Sequence, residues 1–271
     1  MPACMNTGKL VRLNRLFSHA SGRLCSVAVD HFVVYGAGIP PGLRTFRRTV
    51  ASVVEARPDA VTMHVGMAAN VWPEHAGKVP LILQGTLASW DDSFIELAAQ
   101  PEDAVRMGAD AYAVVALVRG KSEGIYLRRV ADCVREASRF EMPVICHIYP
   151  RTFSDKGVSV SYTPEDIAWA TRCAAEVGAD VVKVPYCGEV KAYAEIVSEC
   201  PVRVVAAGGP QTPDLRGALA MIGEVIKAGA AGATIGRNIW GFPNVAASVR
   251  AFKAVIHDGA TAAEALQRAV P

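Results

Sequence analysis

The chain has 271 residues, room for one large α/β domain or two small ones, and with 51% hydrophobic and 20% charged residues it is neither disordered nor fibrous. A formal charge of +2, spread along the chain, offers no basic block for nucleic acid or an anionic membrane, so an anionic ligand would need a local site. Seven cysteines (Cys4, Cys25, Cys133, Cys146, Cys173, Cys187 and Cys200) are odd in number and lack CxxC or zinc-like spacing, so they read as reduced thiols.

In chain order, residues 1–20 form an extension with a short helix. Lys9, Arg12 and Arg15 stand there among short apolar groups, without the apolar stretch of a secretory signal, and no later run approaches a membrane span. These features predict a cytoplasmic location and no membrane partner. Periodicity then predicts a strand at Leu24–Asp30, a helix at Leu43–Ala56, and strands at Ala60–His64, Leu81–Gln84 and Ala111–Val115. A helix is predicted at Ser122–Phe140, a strand at Val144–Tyr149, a helix at Pro164–Val177 and a strand at Val181–Val184. The helix Val190–Cys200, strand Val202–Ala207, helix Leu215–Ala228 and strand Ala233–Ile235 complete the series.

Strands that read as continuous apolar runs between helices are parallel and buried on both faces. Met107-Gly-Ala-Asp, Val177-Gly-Ala-Asp and Ala228-Gly-Ala-Ala repeat one device, a glycine ending a helix just before a strand. The rival doubly wound sheet would place GxGxxG after the first strand, whereas the Gly-rich turns here follow the last two. The expectation is an α/β fold, a single (β/α)8 TIM barrel over residues 1–271, with an active-site loop at Pro150–Thr163.

Lys183 lies within the strand Val181-Val-Lys-Val-Pro185. Desolvation favours the neutral amine of a buried lysine, and a neutral amine is what attacks a carbonyl. The alternative is a strand-end lysine that reaches solvent or pairs with a carboxylate. Tyr149 ends the fifth strand and His147 precedes it by two, so both share a face near the barrel mouth; Asp30 closes the first strand. Gly208 and Gly209 after the seventh strand, with Gly236 and Arg237 after the eighth, form a candidate phosphate cradle, aided by a helix N-terminus near Asn238. His31, His64, His75 and His147 lack any metal-ligand spacing, so neither a metal nor another cofactor is expected.

Five segments occur in order: Val27-Ala-Val-Asp-His31, Ile148-Tyr-Pro-Arg151, Gly178-Ala-Asp-Val-Val-Lys-Val184, Ala207-Gly-Gly209 and Ile235-Gly-Arg-Asn-Ile-Trp240. Together they resemble the archaeal-type class I fructose-bisphosphate aldolase family, which includes aminodideoxyheptulosonate synthase and the autoinducer-2 phosphate aldolase-thiolase. The resemblance implies a Schiff-base lysine at Lys183, an acid/base tyrosine at Tyr149, the first-strand aspartate at Asp30, a phosphate cradle in the two Gly turns, and a homo-oligomer. It also implies a small phosphorylated sugar or keto substrate. A further glutamate used by some members has only Glu189 as a candidate. Phe32 stands where members carry Gly, and Thr152 and Phe153 stand where Gly follows their Tyr-Pro-Arg, adding bulk at the mouth. A transaldolase- or thiolase-like transferase and a non-catalytic phosphate-ligand binding protein remain as alternatives.

Overall fold

The computed structural model describes residues 7–31 and 38–269. The predicted strands form β1 (Leu24–Ala28), β2 (Ala60–His64), β3 (Leu81–Gln84), β4 (Ala111–Val118), β5 (Val144–Ser154), β6 (Val181–Val184), β7 (Arg203–Ala207) and β8 (Gly232–Ile235). Parallel pairing runs β4-β3-β2-β1-β8-β7-β6-β5, and β4 also pairs with β5, which closes the sheet. This is a (β/α)8 barrel. The strands read as unbroken apolar runs because both faces are covered; β4 is buried at every position.

The interior face can be followed by the period of two. Leu24, Ala60, Ile82, Ile145, Val181 and Val205 form an apolar cluster separate from the core between sheet and helices. Two residues further along their strands, Thr62, Gln84, His147 and Lys183 therefore occupy the same interior face, nearer the C-terminal mouth. The cluster is sealed from the opposite end by the helix Thr7–Leu16 and the residue after it, with Leu16 fully buried and Phe17 7% exposed. Lys9 Nζ reaches Asp180 at 2.8 Å and Arg15 reaches Asp110 at 3.2 Å. Both aspartates end copies of the Gly-Ala-Asp echo, whose glycines Gly108 and Gly178 have φ of +65° and +94°, the left-handed backbone that ends each helix. The echo thus turns the chain into the next strand and also ties down the plug.

Local chemistry sets the outer helices. Pro164–Glu176 starts at Thr163, whose side chain accepts from the Asp166 amide; Leu215–Lys227 and Val245–Asp258 are capped in the same way by Asp214 and Asn244. The last of these buries Val249, Phe252, Val255 and Ile256, each contributing about 2 kcal/mol by the usual area measure.

The structure departs from expectation in three places. β1 stops at Ala28, so Asp30 lies beyond the strand. The stretch 150–163 is not irregular: β5 continues to Ser154 and returns as an antiparallel strand, Gly157–Val160. A second hairpin, Thr86–Ala88 with Ile95–Leu97, follows β3. Among the described residues no helix is long and apolar enough to cross a membrane.

Candidate active site

A narrow cleft opens at the C-terminal end of the barrel, lined by His31, Trp90, Tyr149, Val160, Tyr162, Lys183, Pro185, Ala207, Gly208, Gly209, Thr234, Gly236 and Arg237. Barrel enzymes carry their chemistry on this face. Lys183 is 4% exposed and sits in register with His147 on one side and Val205 on the other. Among the described residues no carboxylate stands within ion-pair distance of its Nζ. Tyr149 lines the cleft and forms a T-shaped pair with Trp90, centroids 5.7 Å apart.

Asp30 lies beside this group. Burial pushes its carboxyl up, but Lys183 first, and then His31, His147 and His64, outweigh that and bring it down to about 2. Its Oδ2 accepts from Gln84 Nε2 at 3.2 Å. His31 Nδ1 stands 3.7 Å from Asp30 Oδ1, yet burial above all pushes the imidazole down to about 4, so at neutral pH a carboxylate faces a neutral ring. His147 is 2% exposed and does not line the cleft; it lies beneath, its Nδ1 3.2 Å from Gln84 Nε2.

The Gly-Arg-Asn-Ile-Trp segment binds the two glycine turns together. Asn238 Nδ2 donates to the carbonyls of Gly208 and Pro210, each at 2.9 Å, and Arg237 Nη2 donates to Gly209 O at 3.1 Å. Trp240 Nε1 donates to Ala28 O at 2.9 Å, so the turn after β8 also holds the exit of β1. Gly209 has a φ of +71°, and a Cβ on Gly236 would run into the His31 ring. The Gly208 amide already donates to Thr234 O at 2.9 Å, so Gly208 serves close packing against Ile235, and the expected cradle narrows to Gly209, Gly236 and Arg237. Arg237–Trp240 is a single turn, too short for the macrodipole expected of a helix N-terminus; individual amides are what it offers.

Other expected positions fall elsewhere. Glu189 is exposed at the N-cap of Val190–Glu199, and Thr152 and Phe153 are exposed outside the cleft; the phenylalanine lies under the Arg151 guanidinium. Phe32 lies outside the described residues. His75 packs on Trp72, and among the described residues no three His, Cys, Asp or Glu side chains gather to hold a metal ion. Sequence reasoning missed Gln84, Trp90 and Tyr162. Gln84 carried the one usable signal, a polar side chain at the C-terminal end of an apolar barrel strand.

The closed parallel barrel and its mouth agree with one family in particular: the profile of the DeoC/LacD family aldolases matches residues 24–241, and the chain belongs to that family. It is 33% identical over 266 residues to the 2-amino-3,7-dideoxy-D-threo-hept-6-ulosonate synthase of Halobacterium salinarum, covering 97% of each chain. It is 31% identical over 256 residues to the 2-amino-4,5-dihydroxy-6-oxo-7-(phosphonooxy)heptanoate synthase of Streptomyces griseus, covering 93% of this chain and 91% of that one. Among solved structures it resembles an archaeal fructose-1,6-bisphosphate aldolase whose catalytic lysine is covalently bound to the carbinolamine intermediate of the substrate. The TM-score is 0.80 at 26% identity, covering 92% of this chain and 99% of that one.

Proposed function

We propose that this protein is a metal-independent class I aldolase that makes or breaks a C–C bond in a keto compound carrying one phosphate, with Lys183 as the Schiff-base residue. The observation that carries the reading is a buried lysine, unpaired among the described residues, lining one cleft with a tyrosine and an arginine-bearing glycine turn. The Lys183 amine attacks the ketone, the carbinolamine loses water, and the resulting iminium accepts the electron pair of the neighbouring C–C or C–H bond. Tyr149 moves the proton to or from the aldol hydroxyl. Asp30, held ionised, steadies the ammonium or iminium charge, and hydrolysis returns the amine. Phosphate bound by Gly209, Gly236 and Arg237 positions the carbonyl over Nζ, converting remote binding into orientation.

Charge supports a single phosphate. Among the described residues, Lys183 and Arg237 are the only lysine and arginine that line the cleft. A bisphosphate would leave one end without a cationic partner. The product named for the Streptomyces griseus relative has hydroxyls at C4 and C5, a ketone at C6 and a phosphate on C7. Cut at C4–C5, as aldol chemistry requires, it yields a three-carbon hydroxyketone monophosphate and a four-carbon amino-acid aldehyde. The first piece fits a cleft with one anion site, and we take a hydroxyketone monophosphate as the donor class for this chain, joined to an aldehyde.

Borohydride reduction in the presence of dihydroxyacetone phosphate should leave a mass adduct on Lys183, absent from Lys183→Ala, while EDTA leaves turnover unchanged. An adduct on another lysine, or turnover without any adduct, would overturn the assignment.

A further inference from the structure

The hydrogen bonds of Gln84 determine what His147 can do. Gln84 is 1% exposed, and the Thr86 amide donates to its Oε1 at 3.0 Å. A backbone N–H only donates, so that side-chain atom must be the oxygen and the amide cannot be flipped. The other end is then an NH2, which also only donates, and its two contacts are Asp30 Oδ2 and His147 Nδ1, each at 3.2 Å. His147 Nδ1 is therefore an unprotonated acceptor, and the ring proton sits on Nε2. Among the described residues Nε2 has no hydrogen-bond partner.

We propose that Gln84 is a positioning residue that holds His147, which lies beneath the cleft lining but in register with Lys183 on the neighbouring strand, as a neutral Nε2–H donor for a substrate oxygen beside the carbon bonded to Lys183. On this assignment His147 binds and polarises that oxygen, and proton transfer is left to Tyr149. The proposal rests on the Schiff-base reading for its substrate half; the tautomer rests on the hydrogen bonds alone. The charged and titratable groups around His147 are Lys183, Asp30, His31 and His64. Burial chiefly, followed by the Lys183 charge, pushes the imidazole well below its ordinary range against the pull of Asp30. A neutral donor in a dry site stabilises developing charge on oxygen without giving up its proton.

The test is 15N NMR of histidine-labelled protein, with the His147 signals identified by their loss in His147→Asn. The expected result is an unprotonated Nδ1 and a protonated Nε2, both unchanged between about pH 5 and 8, where a free histidine titrates. Gln84→Glu, whose carboxylate only accepts, should draw a proton onto Nδ1 and lower kcat about 100-fold with KM nearly unchanged, while borohydride trapping on Lys183 survives. A wild-type Nδ1–H, a His147 that titrates in that window, or Gln84→Glu turnover close to wild type would each overturn the proposal. The wild-type spectrum needs no variant to fold. A reversed tautomer with a normal Lys183 adduct sinks the Gln84 assignment alone; no adduct in the wild type sinks the aldolase reading and the substrate half, whatever the tautomer.

Discussion

Arg151 and Asp92 meet at 2.6 Å, with the guanidinium wholly withdrawn from solvent and the carboxylate 18% exposed. The same guanidinium donates to Trp90 O at 2.9 Å and lies over the rings of Tyr126 and Phe153. The residue after Tyr149-Pro therefore anchors the hairpin that carries Trp90 to the edge of Tyr149. Asp92→Ala, which strands a buried cation, should cost about 3 kcal/mol. Arg151→Lys should loosen the hairpin, since an ammonium cannot reproduce the planar fork. Thermal melts and limited proteolysis within residues 86–97 would check both; an unchanged melt for Asp92→Ala would show that the pair is not the anchor.

Removal of the Tyr149 phenol should slow turnover about 10²–10⁴-fold, the usual share of a general acid or base. Borohydride trapping on Lys183 should persist in Tyr149→Phe, because iminium formation and proton transfer at the aldol oxygen are separate steps. Loss of trapping together with turnover would mean that Tyr149 acts on the lysine instead.

Arg237→Ala should weaken a phosphorylated ketone, and competition by inorganic phosphate, about 10- to 100-fold, the worth of a hydrogen bond to a charged group. The unphosphorylated ketone should lose little. Equal losses for both would place the phosphate away from the glycine turns.

Stability should fall on mild acidification. His31 is held near 4 in the fold, so below its ordinary 6.5 the unfolded chain takes up a proton that the folded chain refuses. Stability present above that pH is progressively lost as pH falls toward 4, by about 2 kcal/mol at pH 5 from this residue alone. His147 acts in the same direction. Asp30, held near 2, adds its own loss as pH drops from about 4 to 2. Denaturant titrations of wild type and His31→Asn at pH 7 and 5 should differ in slope against pH; parallel curves would rule out His31 as the source.

The barrel was legible because double burial writes each strand as a run such as Val181-Val-Lys-Val184, in which one lysine stands out. The helix-ending glycines were legible for a local reason, since φ near +65° to +94° is a single-residue requirement. The polar side chain of Gln84 at a strand end was a signal, but its role was not legible, because its partners lie 54 and 63 residues away and nothing local announces them. The segment after Tyr149 read as a loop because Pro150 normally ends a strand. It sits instead at the last pair of the β4–β5 ladder, after which β5 turns to a new antiparallel partner. Trp90 was hidden by hairpin strands of three residues each, too short for alternation to register.

The helix Thr7–Leu16 seals the barrel at the end opposite the mouth. Among the described residues the far end of the well is plugged, and traffic passes through the mouth. On the proposed Schiff-base reading a ketone bonded to Lys183 Nζ occupies the deep end of the cleft, so the aldehyde arrives after it and, in cleavage, departs before it. Steady-state kinetics should accordingly be sequential and ordered, the ketone first on and last off, and excess aldehyde should inhibit by occupying the throat of an enzyme that has not yet met its ketone.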